Sequence, residues 1–554
     1  MNAFIGDTGS GSLKITDGGS VSNRAGFIGH RTGSLGQVSV VGTNSTWKNS
    51  GGLFIGESGS GSLEIVDGGQ VTVEKYTWLS HYSGSSGTIH FDNGKLVTGD
   101  LLCAVDDLTG TGTISTHGLI SDVDLVFDAT NGLSQTLNIN ESPGQNITIN
   151  LTVDGSGSMG AGYGDSGTVN ISDGIIIEST FGYIGYGSGS TGKVTVNGNG
   201  STWRATSTSA TTITIGHFGS GMLNITAGGT VTSDNIEIGC ESGSTGLVTV
   251  DGAGSNLTSN NYHIYVGRNG NGTLNITGGG AVSNRSGFIG FRPSSVSQVT
   301  VNGAGSTWTN DDNLHVGFMG SGILTITDSG VVRCKNGYIG YFNDLKCEVT
   351  VNGIGSKWTN DNELVVGGAY YASQAGSGML NIISGGEVSS HSGYIGFEPN
   401  STGEVMVDGV GSTWTNSSNL YVGRSGSGIL NIRGGGLVSI TGTLTIDNDA
   451  DGDGFINITS GGMLALYGNA DESLSDFTDL INGTDAIRYW DDSISDWADI
   501  NDATCGRDYT LSYQTKGDLE GYTLLTVCVP EPSMLTGLLG LCLTGLLGSV
   551  RHKR

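Results

Sequence analysis

Proline and basic residues are scarce in this 554-residue chain. It has 5 prolines beside 99 glycines, without a Gly-X-Y period, which excludes collagen and argues against a proline-rich linker. Its 23 Lys and Arg residues are outnumbered by 51 Asp and Glu residues, so the formal charge is −28. Because a polyanion of this size is repelled by phosphate backbones, we expect no nucleic-acid partner.

Cysteine spacing is also uninformative about metals. The chain has 7 cysteines, dispersed and without a CxxC or Cys/His zinc spacing, so the sequence predicts no metal–thiolate site. Cys505 and Cys528 bracket the last polar segment before the C-terminus. After export they either form a disulfide or remain two separate thiols, because sequence does not establish their separation in space.

A signal peptide is not visible at the N-terminus. The opening MNAFIGDTGSGSLKITDGG has neither a basic n-region nor an apolar h-region. Its AFIGDTGSGSLKI aligns with LYVGRSGSGILNI of residues 420–432, so Met1 falls inside a repeat. We therefore expect a truncated gene or a misassigned start.

Internal repetition is the strongest signal in the chain. Trp308, Trp358 and Trp414 mark a period of about 50 to 56 residues, and Trp47, Trp203 and Leu257 extend this column. Each period has two related halves, so the structural unit is about 25 residues. The best-matched stretches are GFIGFRPSSVSQVTVNGAGSTWTN (287–310), GYIGYFNDLKCEVTVNGIGSKWTN (337–360) and GYIGFEPNSTGEVMVDGVGSTWTN (393–416).

Alternation inside each unit predicts strands. Pairs such as Val299/Val301 and Leu324/Ile326 alternate with polar residues over a few positions, which is a strand period. A unit of 25 residues cannot bury its apolar side alone, but stacked units can. The sequence thus predicts an all-β parallel β-helix or closely related β-solenoid. A β-propeller is the alternative, and it explains the half-repeats and variable unit lengths less well.

Breaks in the repeat divide the chain into five parts. Residues 467–528 lose the repeat, and DESLSDFTDLINGT predicts a helix followed by strands around AIRYW, YTLSYQ and GYTLLTV, which we interpret as a C-terminal cap. The predicted parts are β-solenoid repeats in 1–71, irregular coils or an insertion in 72–160, repeats in 161–466, the cap in 467–528 and a terminal signal in 529–554.

The repeat and the terminus together resemble a known class. The unit G-[FY]-I-G-x(n)-V-T-V-x-G-x-G-S-x-W-x-N is similar to the repeat shared by type V (autotransporter) passengers and PEP-CTERM proteins. The closing VPEPSMLTGLLGLCLTGLLGSVRHKR resembles a PEP-CTERM sorting signal. Its motif is Pro530, Glu531 and Pro532, residues 534–550 form its apolar span, and Arg551, His552, Lys553 and Arg554 form its basic end.

This resemblance implies a route to the cell surface. The 17 uncharged residues of the span are near the lower limit for a single transmembrane helix, and the basic end favours a cytoplasmic position after it. The family implies processing by an exosortase-type enzyme in a Gram-negative, exopolysaccharide-producing bacterium. The protein would then be anchored in transit and end on the surface or outside the cell. An ordinary single-span anchor is the alternative.

Candidate binding residues are few. Asp447, Asp449, Asp451 and Asp453 alternate in DNDADGDGF like the first half of a calcium loop. The glutamate expected at loop position 12 is missing, because Ile458 is there, so a solvated acidic turn is the alternative to Ca²⁺. No other cofactor is predicted.

Two other recurring patterns have structural explanations. A tryptophan repeated once per period usually packs in the core and less often forms a sugar platform. Tyr370 and Tyr371, in a non-repeated loop, are better surface candidates. A column of acidic or amide residues precedes glycine at each occurrence, which is typical of turns. It comprises Asn197, Asp251, Asn302, Asn352 and Asp408.

Two functions remain open at the level of sequence. The favoured one is a non-enzymatic surface or matrix protein, a rod of about 18 coils and roughly 80–90 Å with a structural or adhesive role, in which exopolysaccharide is a candidate partner. The alternative is a carbohydrate-active enzyme, a lyase or glycosidase on the same scaffold. Such an enzyme needs clustered carboxylates with a nearby Lys or Arg, and no catalytic residue is predicted.

Overall fold

The computed structural model describes residues 1–206, 213–342, 345, 347–368, 376–447, 453–483, 485–491, 494 and 496–528. These residues form an all-β parallel β-solenoid of about 18 turns. Successive turns pair in parallel and in register: Gly287 pairs with Leu314, and Leu314 pairs with Gly337. The predicted solenoid is thus confirmed, and the propeller alternative is wrong because each turn pairs with the turns on either side of it.

Each regular turn contributes one strand to each of three faces. The first face carries short strands. Most of them contain the hydrophobic-x-Ile/Val segment that precedes a glycine turn in the unit. Its strands are Ala3–Ile5, Gly26–Ile28, Leu53–Ile55, Met159–Ala161, Gly182–Ile184, Ile213–Ile215, Ile236–Ile238, His263–Val266, Ser286–Ile289, Asn313–Val316, Asn336–Ile339, Glu363–Val366, Ser392–Ile395, Leu420–Val422 and Leu444–Ile446.

The second face carries the longer alternating strands. Their inward residues are buried, as in Val299, Val301, Leu324 and Ile326, while the residues between them face outward. Its strands are Ser10–Ile15, Leu35–Val41, Ser60–Val66, Asp124–Phe127, Ser166–Ile171, Thr191–Asn197, Ser220–Thr226, Thr245–Asp251, Asn271–Thr277, Val296–Asn302, Ser321–Thr327, Glu348–Asn352, Ser377–Ile383, Thr402–Asp408, Ser427–Arg433 and Asp453–Ile458.

The third face carries the tryptophan column. Along this face tryptophan alternates with valine from turn to turn, since Trp308 pairs with Val282 on one side and with Val332 on the other. Its strands are Ser20–Asn23, Thr46–Asn49, Asn146–Thr152, Ile176–Ser179, Thr202–Ala205, Thr230–Ser233, Asn256–Ser259, Ala281–Asn284, Thr307–Asn310, Val331–Cys334, Lys357–Asn360, Glu387–Ser390, Thr413–Asn416, Leu437–Ile440 and Met463–Tyr467.

The pattern is interrupted between residues 70 and 161. Gln70–Leu79, Ser86–Leu102 and Leu108–Ser121 are long strands that each cross more than one face, with a 3₁₀ turn at Val105–Asp107. Ser134–Ile139 then pairs antiparallel with Asn146–Thr152 and forms a hairpin on the rod. The solenoid continues through this segment, because Asn146–Thr152 and Met159–Ala161 both pair in parallel with Leu108–Ser121.

The C-terminal segment closes the core. The helix Ala470–Gly483 covers the segment where the sequence predicts one. Phe477, Ile500 and Leu525 join the main apolar core. The strands are Ile487–Asp491, which extends the second face in parallel, its antiparallel partner Asp496–Asp499, and Tyr509–Tyr513 and Tyr522–Val527, which extend the third face antiparallel, with a 3₁₀ turn at Ile500–Asp502.

The terminal signal cannot be compared with the structure. Residues 529–554, with the motif, the apolar span and the basic end, lie outside the described residues. Among the described residues, no helix has the length and hydropathy needed to span a bilayer. Cys505 and Cys528 are both free thiols.

The five tryptophans of the column lie in the core, as predicted. Trp47, Trp203, Trp308, Trp358 and Trp414 are all 0–1% exposed. A buried indole N–H needs an acceptor, and the neighbouring turn supplies it for four of the five. In one turn Trp308 Nε1 donates to Asn284 Oδ1 at 2.7 Å, and Asn284 in turn donates to Asn310 Oδ1. The same role is played by Asn23, Ser179 and Ser390 for other tryptophans.

A glycine on the first face makes room for each tryptophan. A Cβ on Gly287 would lie 2.7 Å from Trp308 Cζ2, and a Cβ on Gly337 would lie 2.7 Å from Trp358 Cζ2. Where Leu257 replaces tryptophan, the equivalent glycine is replaced by Ile236. Because interiors are close-packed, the two positions share one volume. The Gly/Trp pairs are Gly26/Trp47, Gly182/Trp203, Gly287/Trp308, Gly337/Trp358 and Gly393/Trp414.

The shared volume predicts compensation between two substitutions. Gly287→Ile alone should destabilise the rod by about 3 kcal/mol, because the new side chain overlaps Asn310 Oδ1 and Trp308. Adding Trp308→Leu and Asn310→Ser copies Ile236, Leu257 and Ser259 of the other turn and should recover most of that loss. Urea unfolding followed by circular dichroism measures both variants. A combined variant no more stable than Gly287→Ile would contradict the shared-volume explanation.

Candidate functional site

The outward side chains of the first face form an aromatic strip. Its middle column is the residue between the two inward ones of each short strand, which alternation directs away from the core. Phe288, His315 and Tyr338 stack in this column with ring centroids 4.8 and 4.9 Å apart and interplanar angles of 3° and 11°. The middle column also contains Phe4, Phe27, Phe54, Trp78, Tyr183, Tyr265, Tyr394 and Tyr421.

A flanking column lies three residues further along each turn. Phe291, Phe318 and Tyr341 follow one another in this column with centroids 5.2 and 5.0 Å apart. They meet the middle column nearly at right angles, since Phe288 and Phe291 are inclined by 81°. The rings thus pack in a herringbone pattern, and most are half-buried, so the first face presents runs of aromatic carbon that extend over several turns.

Arginine borders the strip at two places. The Arg292 guanidinium lies 5.2 Å from the centroid of Phe291, and the Arg424 guanidinium lies 4.3 Å from the centroid of Phe397. Both are cation–π distances. In a chain with 23 basic and 51 acidic residues, cations beside exposed rings give the strip a local chemistry unlike the rest of the rod.

Burial keeps His315 and His81 of the strip neutral. His315 is 6% exposed between Phe288 and Tyr338, and burial, with a smaller effect of His263, lowers its pKa to about 3. Burial, with a smaller effect of His217, likewise lowers the pKa of His81 to about 4. These imidazoles therefore behave as uncharged rings of the stack at neutral pH.

The aromatic run is interrupted at several turns, where the middle column holds Gly160, Thr214, Glu237, Val365 or Thr445. At the two consecutive turns with Thr214 and Glu237, the flanking column holds His217 and Cys240. Glu237 is 2% exposed and its carboxylate pairs with Arg268 at 3.0 Å. Polar and ionisable groups are thus concentrated at these two turns.

An acidic groove lies beside the irregular segment. It has a volume of about 830 Å³ and runs between the Ser134–Ile139 strand and the second face, with Asp122, Asp124 and Glu141 among its lining residues. Burial raises the pKa of Asp122, and in nearby Asp107 burial and then the charges of Asp122 and Asp106 raise the pKa to about 6. No Lys or Arg is among the residues that line this groove.

The structure describes only some of the residues singled out in the sequence. Asp447 and Asp453 are exposed at the end of a first-face strand and the start of a second-face strand, while Asp449 and Asp451 lie outside the described residues, so calcium binding stays a prediction. Tyr370 and Tyr371 also lie outside them. The turn column Asn197, Asp251, Asn302, Asn352 and Asp408 ends second-face strands, each before a glycine with φ of 90° to 96°.

The aromatic strip was not among the residues that sequence analysis selected. Its signal was present in the variable position of G-[FY]-I-G, where Phe or Tyr recurs beside the buried Ile. An outward aromatic residue at a fixed position of a strand repeat is the pattern that identifies such a strip.

Comparison with known proteins gives one distant relative. The chain is 32% identical over 268 residues to the uncharacterized lipoprotein YdeK of Escherichia coli (strain K12). That match covers 46% of this chain and 19% of the lipoprotein, so the chain corresponds to a small part of it. No protein-family model matches the chain, and no solved structure matches it.

The neutral histidines predict a dependence of stability on pH. The pKa of His315 is lower in the folded state than in the unfolded chain, where it is about 6.5. The unfolded chain therefore binds more protons as the pH falls. Stability from this site is complete above about 6.5 and is lost as the pH falls towards about 3. His315→Phe, which copies Phe288, should reduce the loss of unfolding free energy between pH 7 and 4. Substitution of exposed His391 by Asn should leave it unchanged, and equal pH profiles for wild type and His315→Phe would contradict the prediction.

Proposed function

We propose that this is an exported, non-enzymatic surface or matrix protein, in which the β-solenoid is an adhesive rod and the aromatic strip binds an extended polysaccharide. The observation that carries the proposal is the strip itself, an exposed row of rings that advances by about 5 Å from turn to turn. Contiguous exposed apolar surface of this kind marks interaction sites. A polymer with its own short repeat can contact several turns in succession.

The chemistry of the strip suits a sugar chain. Apolar C–H faces of sugar rings pack on aromatic carbon, while bordering side chains bind hydroxyl or carboxylate groups. Arg292 and Arg424, each beside a ring, are suited to acidic sugars. The formal charge of −28 elsewhere opposes binding of polyanions away from these places. An exopolysaccharide with carboxylate groups is the partner that fits both observations.

A location in the cell envelope is supported by two independent resemblances. The C-terminus resembles a PEP-CTERM sorting signal, with Pro530, Glu531 and Pro532 as the motif and a basic end that follows an apolar span. The E. coli relative is named a lipoprotein. We infer that an exosortase-type enzyme processes the chain and that the rod, roughly 80–90 Å long, then stands on the surface or in the matrix.

Binding by the strip is tested with paired substitutions. Phe291→Ser with Phe318→Ser should weaken binding to a carboxylated exopolysaccharide about tenfold, a loss of about 1.4 kcal/mol, because two adjacent rings are removed. The control is Ile354→Ser with Val410→Ser, which removes two apolar side chains, each 84% exposed, from turns between the second and third faces. Affinity electrophoresis measures binding, with circular dichroism as a check on folding.

Two outcomes would reject the strip as the binding surface. One is equal binding by the strip variant and the control variant. The other is a strip variant that binds both a neutral and an acidic polysaccharide as tightly as the wild type does. Unfolding midpoints in urea distinguish lost contacts from a lost fold, because both pairs of side chains lie outside the main core.

The second candidate is a carbohydrate-active enzyme in the acidic groove. The groove lined by Asp122, Asp124 and Glu141 favours it, because carboxylates of raised pKa can serve as general acids. Its lack of a lining Lys or Arg favours the rod. Depolymerisation of the same polysaccharide by the wild type, abolished by Asp122→Asn, would establish the enzyme instead.

The sorting signal is tested separately from the rod. Alanine at Pro530, Glu531 and Pro532 should leave an unprocessed, membrane-retained precursor in a Gram-negative host that has an exosortase-type enzyme. The control places alanine at Lys516, Asp518 and Glu520, which are exposed in the cap. Surface labelling and the mass of the mature chain are the measurements. Normal processing of the motif variant would reject the sorting proposal and would not affect the binding proposal.

A further inference from the structure

Three possible metal ligands meet where the aromatic strip is interrupted. A ring nitrogen of His217, the sulfur of Cys240 and a carboxylate oxygen of Glu241 all lie within 4.8 Å of one another. His217 and Cys240 occupy the flanking column in consecutive turns, and Glu241 lies beside Cys240. The repeat does not predict this set, because the flanking column has Tyr186 in the turn before it and Arg268 and then Phe291 in the turns after it.

The backbone holds these residues in register. The amide of Cys240 donates to the carbonyl of Gly216 at 2.9 Å, and the amide of Glu241 donates to the carbonyl of His217 at 3.0 Å. His217 follows the first-face strand Ile213–Ile215, and Cys240 follows the first-face strand Ile236–Ile238. These two strands are paired in register. The ligand positions are therefore fixed by strand pairing, so only side-chain rotation is needed to bring them closer.

The imidazole of His217 is prepared to bind a cation. Its Nδ1 is buried without a hydrogen-bond partner, which is costly unless a group is bound there. A neutral imidazole nitrogen without a hydrogen-bond partner has a lone pair that a metal ion can accept. Tyr186 and Phe218 lie against the ring, with centroids 5.1 and 4.4 Å away, and exclude water on those sides.

The charges at the site favour a divalent ion. Cys240 is 3% exposed, and its thiol donates to Glu237 Oε2 at 3.0 Å with Glu241 Oε1 3.9 Å away. One cation, Arg268, is paired with Glu237 and reaches the sulfur at 3.9 Å. A second positive charge would neutralise a thiolate together with the remaining carboxylate.

We propose that His217, Cys240 and Glu241 bind one divalent transition-metal ion of the zinc class. Nitrogen, sulfur and carboxylate oxygen are the ligands that Zn²⁺ uses, and tetrahedral coordination brings such atoms to about 3.5 Å apart, a closure of about 1 Å from the present arrangement. The metal forms a bond to sulfur as the thiol proton leaves for solvent, so one proton is released per ion bound. The fourth position is open to water or to a donor atom of a ligand on the strip.

Glu237 and Arg268 are positioning residues in this proposal. Glu237 accepts the thiol hydrogen bond in the metal-free state, and Arg268 fixes the Glu237 carboxylate. Outer partners of this kind orient ligands and typically change metal affinity 10- to 100-fold when removed. The site is separate from the calcium prediction at Asp447 and Asp453, whose oxygen ligands select a different class of ion.

The experiment uses the full chain with Cys505→Ser, Cys528→Ser and Cys542→Ser, which removes the two thiols that are not buried among the described residues and the one cysteine that lies outside them. After treatment with EDTA, Co²⁺ is titrated as a spectroscopic probe and then displaced by Zn²⁺. We expect one equivalent of Co²⁺ with a thiolate-to-cobalt absorption band, displacement by Zn²⁺, and release of about one proton per ion at neutral pH. Binding should also raise the unfolding temperature.

Variants decide which residues are responsible. Cys240→Ser should abolish the thiolate band and weaken Zn²⁺ binding at least 100-fold, and His217→Phe or Glu241→Gln should weaken it at least tenfold. Glu237→Gln should weaken binding while the band remains. The matched control is Cys334→Ser, a buried thiol that contacts Asn360 on the third face and should have no effect on the band.

Three results would overturn the proposal: a wild-type chain that binds less than about a tenth of an equivalent, a thiolate band that survives Cys240→Ser, or unchanged affinity in both His217→Phe and Glu241→Gln. If Cys240→Ser does not fold, the last two variants still decide the outcome. Polysaccharide binding plays no part in these measurements, so failure of the metal site is distinct from failure of the proposed function.

Discussion

Parallel in-register pairing of successive turns is the interaction on which the rest of the structure depends. It stacks equivalent residues about 4.8 Å apart, so an inward side chain is always packed against the corresponding side chains of the turns on either side. The tryptophan column is possible only because Trp308 alternates with Val282 and Val332 and because Gly287 leaves space for the indole ring. The repeating motif reflects this packing requirement, because a large side chain at one position requires a small residue at the position it contacts.

The same pairing also organises the outer surface, where the side chains do not have to fill a closed volume. Outward residues of the first face are brought into columns as strictly as inward ones, so an aromatic residue that recurs in sequence forms rows of stacked rings in space. Stacked rings stabilise adjacent turns by roughly 0.5–1.5 kcal/mol per pair beyond their burial. The strip is thus partly a device for stability. Its exposed edges and bordering arginines are what make it available to a partner.

Sequence was sufficient for the parts of the fold that follow from period alone. Alternation in pairs such as Val299/Val301, the 25-residue unit, the buried tryptophans and the helix near residue 470 were all predictable, since each depends on local pattern. The aromatic strip was predictable in principle, because its residues occupy one position of the repeat. The acidic groove was not, since Asp122 and Glu141 meet only because the Ser134–Ile139 hairpin strand folds back beside the second face.

The His217, Cys240 and Glu241 cluster shows why spacing rules for metal sites fail in a solenoid. Those rules describe ligands on one turn or hairpin, whereas here His217 and Cys240 are separated by a whole coil and become neighbours through register. A varied set of ligands can arise only where the repeat is broken. In such a rod, departures from the repeat at adjacent turns are therefore the most informative positions for binding chemistry, and Thr214, His217, Glu237 and Cys240 are four of them within two turns.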